Sequence, residues 1–100
     1  MYKCKITVMK RMFEPELSKE YSSDPQLGPC DIYEDKQEFI LEKPDMPAGF
    51  CSWAWADIQR DVISIMTGGN MDWVNRDGVQ VVCCTDGFRP VVFKVERIEE

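Results

Sequence analysis

Apolar and polar residues alternate along the first segment of the chain. Over residues 2–12 one face carries apolar side chains, beginning with Tyr2 and Cys4, and the other carries lysine and threonine. Since successive side chains of a strand point to opposite faces, this pattern predicts a strand with one buried side. A shorter run at residues 37–42 predicts a second strand.

The last quarter of the chain has the same period of two. Residues 78–84 and 90–98 are rich in valine and flank an Asp-Gly pair, which is a strong turn signal. Together they predict a C-terminal β-hairpin. Cys83 and Cys84 are adjacent, so in regular strand geometry they point to opposite faces of the sheet.

Residues 53–66 have a helical period instead. With Ser52 as the N-cap and glycines at 68 and 69 ending it, this segment predicts the main helix of the protein. Its apolar side chains fall within an arc of about 120°, the stripe expected to face a sheet. They are Ala54, Trp55, Ile58, Val62, Ile65 and Met66.

These elements predict one α+β domain over residues 1–100, with a small antiparallel sheet of about four strands packed against helix 53–66. One main helix covers only one face of such a sheet. The uncovered apolar positions, together with Trp53 and Trp73, therefore predict a homodimer.

The composition limits the classes of binding partner that we expect for this protein. The chain has 100 residues and a net charge of −6, which repels phosphate backbones and anionic membranes, so we expect neither nucleic acid nor membrane as a partner. The strand pattern at the N-terminus differs from a signal peptide, and no apolar run approaches the roughly 18 residues of a membrane span. We expect a cytoplasmic protein whose five cysteines are reduced.

Histidine is absent from the chain. This excludes Ser-His and Cys-His nucleophilic catalysis and every zinc site that uses imidazole. An enzyme built on this sequence would have to use cysteine, aspartate, glutamate, lysine or tyrosine. We therefore favour a protein without catalytic activity.

Trp53 is unusual because the helical wheel places it on the polar side, in line with Asp57 and Arg60. A covering loop, a subunit contact or the wall of a ligand pocket would each explain it. Asp57 and Arg60 are three residues apart and are expected to pair on the helix surface, with Asp61 also within reach of Arg60. A catalytic pair of carboxylates is the alternative.

Cys51 lies just before the predicted N-cap, where helix amides favour a thiolate. The dipole contributes only ~0.3–1 kcal/mol, less than one pKa unit, so an inert packed thiol is favoured over a nucleophile. A thiolate metal site holding zinc or an iron-sulfur cluster is another alternative, although the chain has no Cys-x-x-Cys pair. Its candidate ligands are Cys4, Cys30, Cys51, Cys83 and Cys84.

Five segments carry a family resemblance: YKCKITVMK, GPCDIY, GFCSWAWADIQRDV, GGN and CCTDGFRPVVFKVERIE. Across nearly the whole chain they resemble a family of small uncharacterised proteins that is widespread in anaerobic bacteria and archaea. The resemblance implies a shared site but no particular chemistry. The positions that it implies are Cys30, Cys51, Trp53, Trp55, Asp57, Asp86 and Arg89.

Three functions follow as expectations. The first is a small binding module without turnover, whose pocket or interface for a small-molecule ligand is formed by Cys51, Trp53, Asp57, Arg60, Asp86 and Arg89. The second is a metal-binding or redox protein that uses the cysteines, with either Cys83 or Cys84 as one ligand. The third is an enzyme with Cys51 as nucleophile and Asp57 or Asp61 in acid-base support.

Overall fold

The computed structural model of the protein describes residues 1–98. Its elements are β1 (Lys3–Arg11), α1 (Pro15–Tyr21), β2 (Glu38–Leu41), α2 (Ser52–Met66), β3 (Val79–Cys83) and β4 (Val91–Ile98). The strands form one antiparallel sheet in the order β2-β1-β4-β3. The predicted α+β class, the four strands, the main helix and the C-terminal hairpin are confirmed. Of the helices in residues 1–98, none combines the length and apolarity that crossing a bilayer requires.

The strand register brings the apolar faces of all four strands to the same side of the sheet. Ile6 lies opposite Phe39 on one neighbouring strand and opposite Val95 on the other, and Phe93 lies opposite Val82. A slip of one residue would turn these side chains to the other face, so the burial pattern fixes the register.

Helix α2 packs on this apolar face and contacts β1, β3 and β4. Five of the six members of the predicted stripe are buried as expected, whereas Trp55 is only half-buried. The helix begins one residue earlier than predicted: Ser52 is its first residue and Cys51 is the N-cap, with no capping hydrogen bond from its side chain. The prediction that Ser52 is the cap was therefore wrong.

The opposite face of the sheet carries a lattice of ion pairs. Lys5 Nζ lies 3.6 Å from a carboxylate oxygen of Glu38 and 3.7 Å from one of Glu96, which also pairs with Lys94 at 3.3 Å. Beneath these long side chains Thr7 is buried, and its hydroxyl has no partner in the described part of the chain. This face is thus charged at its centre.

Arg97 on β4 forms hydrogen bonds at the C-terminal end of α2. Its guanidinium donates hydrogen bonds to the carbonyls of Ile65 (2.7 Å) and Gly69 (3.0 Å) and to the side-chain oxygen of Asn70 (2.7 Å). It also lies over the ring of Tyr2, 5.3 Å from the centroid. Carbonyls at a helix end lack intrahelical partners, so a cation here is well placed to satisfy them.

β3 forms one edge of the sheet, and the side chain of Gln80 protects that edge. Gln80 is buried on the helix side, where its amide nitrogen reaches Asp61 at 3.4 Å. Its amide oxygen accepts the backbone N–H of Val81 at 2.9 Å. Alternate residues of an edge strand point their amides away from the sheet, so Gln80 caps the central open amide of β3.

Candidate functional site

A cleft of about 620 Å³ opens where α2 begins, beside the loop between β3 and β4. Three parts of the chain line it. They contribute Cys30, Ile32 and Tyr33 from the loop before β2, Cys51, Trp53, Ala54 and Asp57 from the start of α2, and Cys84, Thr85, Asp86, Gly87, Phe88, Arg89 and Val91 from the hairpin.

Tyr33 belongs to a cluster of aromatic rings between this loop and the sheet. Its ring centroid lies 5.3 Å from that of Phe93, 5.4 Å from Phe50 and 6.1 Å from Phe39, each in an edge-on arrangement. Edge-to-face rings add to the stabilisation that burial gives. Tyr33 is the member of this cluster that lines the cleft, and the other rings pack against it from the side of the core.

The Tyr33 hydroxyl lies at the N-terminus of α2. Its oxygen accepts the backbone N–H of Cys51 at 3.0 Å, which ties the loop to the N-cap of the helix. The pKa of Tyr33 is raised, mainly by burial; the hydrogen bond from the Cys51 amide lowers it in part, and the nearby thiols of Cys51, Cys30 and Cys84 raise it further. Tyr33 is therefore a neutral phenol at physiological pH, with three cleft thiols around it.

Asp57 joins the helix to the hairpin loop across one side of the cleft. Its carboxylate accepts the backbone N–H of Thr85 at 2.8 Å and the Thr85 hydroxyl at 3.0 Å. The expected pair between Asp57 and Arg60 does not form, and Arg60 is exposed outside the cleft lining. Asp57 binds the hairpin loop in preference to Arg60 because Thr85 offers two donors, one of them a backbone amide that would otherwise lack a partner.

The hairpin tip is held by its own side chains. Asp86 Oδ1 accepts the backbone amides of Phe88 (2.9 Å) and Arg89 (3.2 Å), and Asp86 Oδ2 lies 3.4 Å from Arg89 Nε. An aspartate that accepts amides two and three residues later is a common turn stabiliser. Asp86 is thus occupied within the turn, and Arg89 is among the residues that line the cleft.

Trp53 stands at the rim of the cleft and is 83% exposed. No loop covers it, so the covering-loop explanation was wrong. Trp73 is similarly exposed, at 76%, but does not line the cleft. The two tryptophans therefore provide a matched pair for testing the cleft.

The cysteines occupy three environments. Cys30, Cys51 and Cys84 line the cleft, and Cys84 Sγ accepts the backbone N–H of Val91 at 3.3 Å. Cys4 is fully buried on the helix side of β1, and Cys83 is exposed on β3. Within residues 1–98, no three cysteine, aspartate or glutamate side chains are grouped in a way that could hold a metal ion.

Burial raises the pKa of the Cys4 thiol from 9.0 to about 11. The unfolded chain ionises first as pH rises, so this contribution to stability is constant below about pH 9 and is lost between about pH 9 and 11. We expect the free energy of unfolding to fall by about 2 kcal/mol between pH 8 and 10.5 through this group alone. Urea unfolding measures it.

The control for this prediction is Cys4→Ala, which removes the thiol while the tyrosines still ionise. Its free energy of unfolding should depend less steeply on pH than that of the wild type over the same interval. Equal slopes would contradict the assignment. In the folded protein at about pH 8, iodoacetamide should label the exposed Cys83 and leave Cys4 unmodified.

Sequence reasoning missed two residues of the cleft that matter for its chemistry. Tyr33 carried no signal beyond its position three residues after Cys30, and Thr85 appeared only as part of a turn. Both act through partners that are distant in sequence: Tyr33 through Cys51, and Thr85 through Asp57. Of the residues predicted to bind, five line the cleft, and Arg60 does not.

Comparison with protein-family models, with curated proteins and with solved structures finds no match. The family resemblance inferred from the sequence therefore stays a prediction.

Proposed function

We propose that the protein is a small ligand-binding module and that the cleft at the start of α2 binds a small molecule with an apolar, flat body. The observation that carries this proposal is the cleft itself. Its volume of about 620 Å³ falls within the roughly 300–1,000 Å³ typical of small-molecule sites.

The lining supports the proposal because it combines apolar surface with a few polar groups. Ile32 and Phe88 offer aliphatic and aromatic contacts, and the exposed indole of Trp53 offers a stacking surface at the rim. Polar groups at the edge, among them Arg89, would fix the orientation of a ligand. Such sites usually have this division between apolar walls and a small number of polar anchors.

The test uses naphthaleneacetamide, a neutral probe with a flat apolar body, titrated into the protein and followed by the NMR signals of the indole N–H groups. We expect saturable binding that shifts the Trp53 signal and leaves the Trp73 signal in place. Trp53→Ala should weaken binding roughly fivefold, because stacking on one aromatic ring contributes about 0.5–1.5 kcal/mol.

The matched control is Trp73→Ala, which removes an equally exposed tryptophan outside the cleft. Its affinity for the probe should equal that of the wild type. The proposal fails if neither naphthaleneacetamide nor its charged analogues bind saturably, or if both tryptophan variants lose affinity equally.

Thiol chemistry is the second candidate, because Cys30, Cys51 and Cys84 line the same cleft. If the protein is a metal-binding or redox protein, these three cysteines are the candidate metal ligands or redox-active thiols. Cys4 and Cys83 are less suitable, since one is fully buried away from the cleft and the other lies on the outer side of β3. A nucleophilic Cys51 would have to act without a histidine as its base, since the chain has none. Elemental analysis after anaerobic purification tests the metal form.

The homodimer and the cytoplasmic location also stay proposals. Trp53, Trp73 and Val81 are exposed apolar side chains that a second copy could cover. The ion pairs across the centre of the outer sheet face argue that such a contact would lie toward the edges of that face.

A further inference from the structure

The N-terminus of α2 has unused hydrogen-bond donors. Its first intrahelical bond runs from Trp55 N–H to the Cys51 carbonyl, and the N-cap side chain forms no capping bond. The amides of Ser52, Trp53 and Ala54 have no acceptor in the described residues, and the first turn contains no acidic side chain. Trp53 and Ala54 both line the cleft.

A second donor lies beside this helix end. Tyr33 is 3% exposed, and its hydroxyl oxygen accepts one bond from Cys51 N–H. Within residues 1–98 no group accepts the hydroxyl proton of Tyr33 in return. Since a buried donor without an acceptor is costly, this hydroxyl proton indicates an acceptor that comes from outside the chain.

Arg89 adds the only positive charge among the residues that line the cleft. Its Nε approaches Asp86, while its terminal nitrogens have no partner in the described part of the chain. The opposing charges in the lining are Asp57 and Asp86. Asp86 is occupied by the turn amides and by Arg89 Nε. The Asp57 carboxylate is turned to Thr85 and lies six residues beyond the N-cap. At about 1.5 Å per residue, this distance is roughly 9 Å along the helix axis.

We propose that the ligand of this cleft is a carboxylic acid with an apolar body, bound as the carboxylate. Its oxygens would accept hydrogen bonds from the Tyr33 hydroxyl and the open amides of α2, with Arg89 supplying the counter-charge. Carboxylates at helix N-termini are stabilised by such amides and by the helix dipole. This inference rests on the proposed binding function and adds the chemical class of the ligand.

The test compares three probes with the same aromatic body: naphthaleneacetate, naphthaleneacetamide and naphthylethylamine. The net charge of −6 attracts the amine and repels the carboxylate, whereas the local donors favour the carboxylate. We expect naphthaleneacetate to bind at least fivefold more tightly than the amide at neutral pH and low salt. The amine should bind most weakly of the three.

Tyr33→Phe removes the hydroxyl and keeps the ring in its aromatic cluster. We expect it to reduce the preference for acetate over acetamide at least threefold. Tyr21→Phe is the control, because Tyr21 is exposed on α1 and outside the cleft lining, and its preference should equal that of the wild type. If Tyr33→Phe does not fold, Arg89→Gln provides the same comparison, with Arg76→Gln as its control.

The outcomes separate this inference from the binding function. If the amide or the amine binds as tightly as the carboxylate, or if both Tyr33→Phe and Arg89→Gln keep the full preference, the ligand class is wrong while the cleft still binds. If none of the three probes binds saturably, the binding function itself fails. A carboxylate preference that disappears in either cleft variant supports both.

Discussion

Replacing Phe93 with alanine is expected to lower the free energy of unfolding by about 3–5 kcal/mol, which is typical of a fully buried phenylalanine. Phe93 is 0% exposed, lies on a central strand, and packs against Tyr33 and Phe50 with ring centroids 5.3 Å apart. Both the lost apolar contacts and the cavity left behind destabilise the variant. Urea unfolding followed by tryptophan fluorescence measures the change.

The loss expected for Phe93→Ala is large relative to the total free energy of unfolding, since a domain of this size is stable by only about 5–15 kcal/mol. Phe88→Ala is the matched control, because Phe88 is half-buried at the cleft and should cost at most about 1.5 kcal/mol. Similar losses in the two variants would mean that the aromatic cluster is not the core of the fold. Phe93→Ala should also weaken probe binding, since Tyr33 would lose a ring that supports it.

Removing the Arg97 side chain has the second largest expected effect. Arg97→Ala should cost about 2–4 kcal/mol, because it leaves the Ile65 and Gly69 carbonyls without a charged donor and removes the ring contact with Tyr2. Arg97→Lys should recover only part of this stability, since an ammonium group lacks the planar geometry that reaches several acceptors at once.

Arg76→Ala is the control for Arg97, as Arg76 is exposed and is expected to change stability by less than about 0.5 kcal/mol. Hydrogen exchange offers an independent measurement. The amides of the last turn of α2 should exchange faster in Arg97→Ala, whereas those near Asp57 should be unaffected. A lysine variant as stable as the wild type would contradict the role given to the guanidinium.

The elements of this fold follow from local patterns, because a period of two or of 3.6 records which side of each segment is buried. That is why β1, α2 and the hairpin were predictable. The order of the strands was not, since it depends on pairings between distant segments. The N-cap was misplaced by one residue because Ser52 is the better capping residue by type, yet the Tyr33 hydroxyl holds Cys51 at that position.

The cleft was predictable in part. Trp53 stands out within α2 because a tryptophan on the polar side conflicts with an ordinary solvated helix start, and Cys51 and Asp57 lie near it in the sequence. Their partners come from loops whose path no periodicity records, so Tyr33 and Thr85 were missed. The expected bond between Asp57 and Arg60 was inferred from their spacing within one helix. In the structure the Asp57 carboxylate instead accepts the backbone amide of Thr85, in a distant loop, at 2.8 Å.

The amide cap that Gln80 provides on β3 has a consequence for assembly. A strand added at this edge, from a second copy or from a misfolded chain, would need the Val81 N–H that Gln80 already occupies. Strand addition would therefore begin by breaking a hydrogen bond, which disfavours growth of the sheet in this direction. The other edge is β2, only four residues long, so it offers a short template. Both ends of the sheet thus resist the open-ended polymerisation to which exposed edge strands are prone.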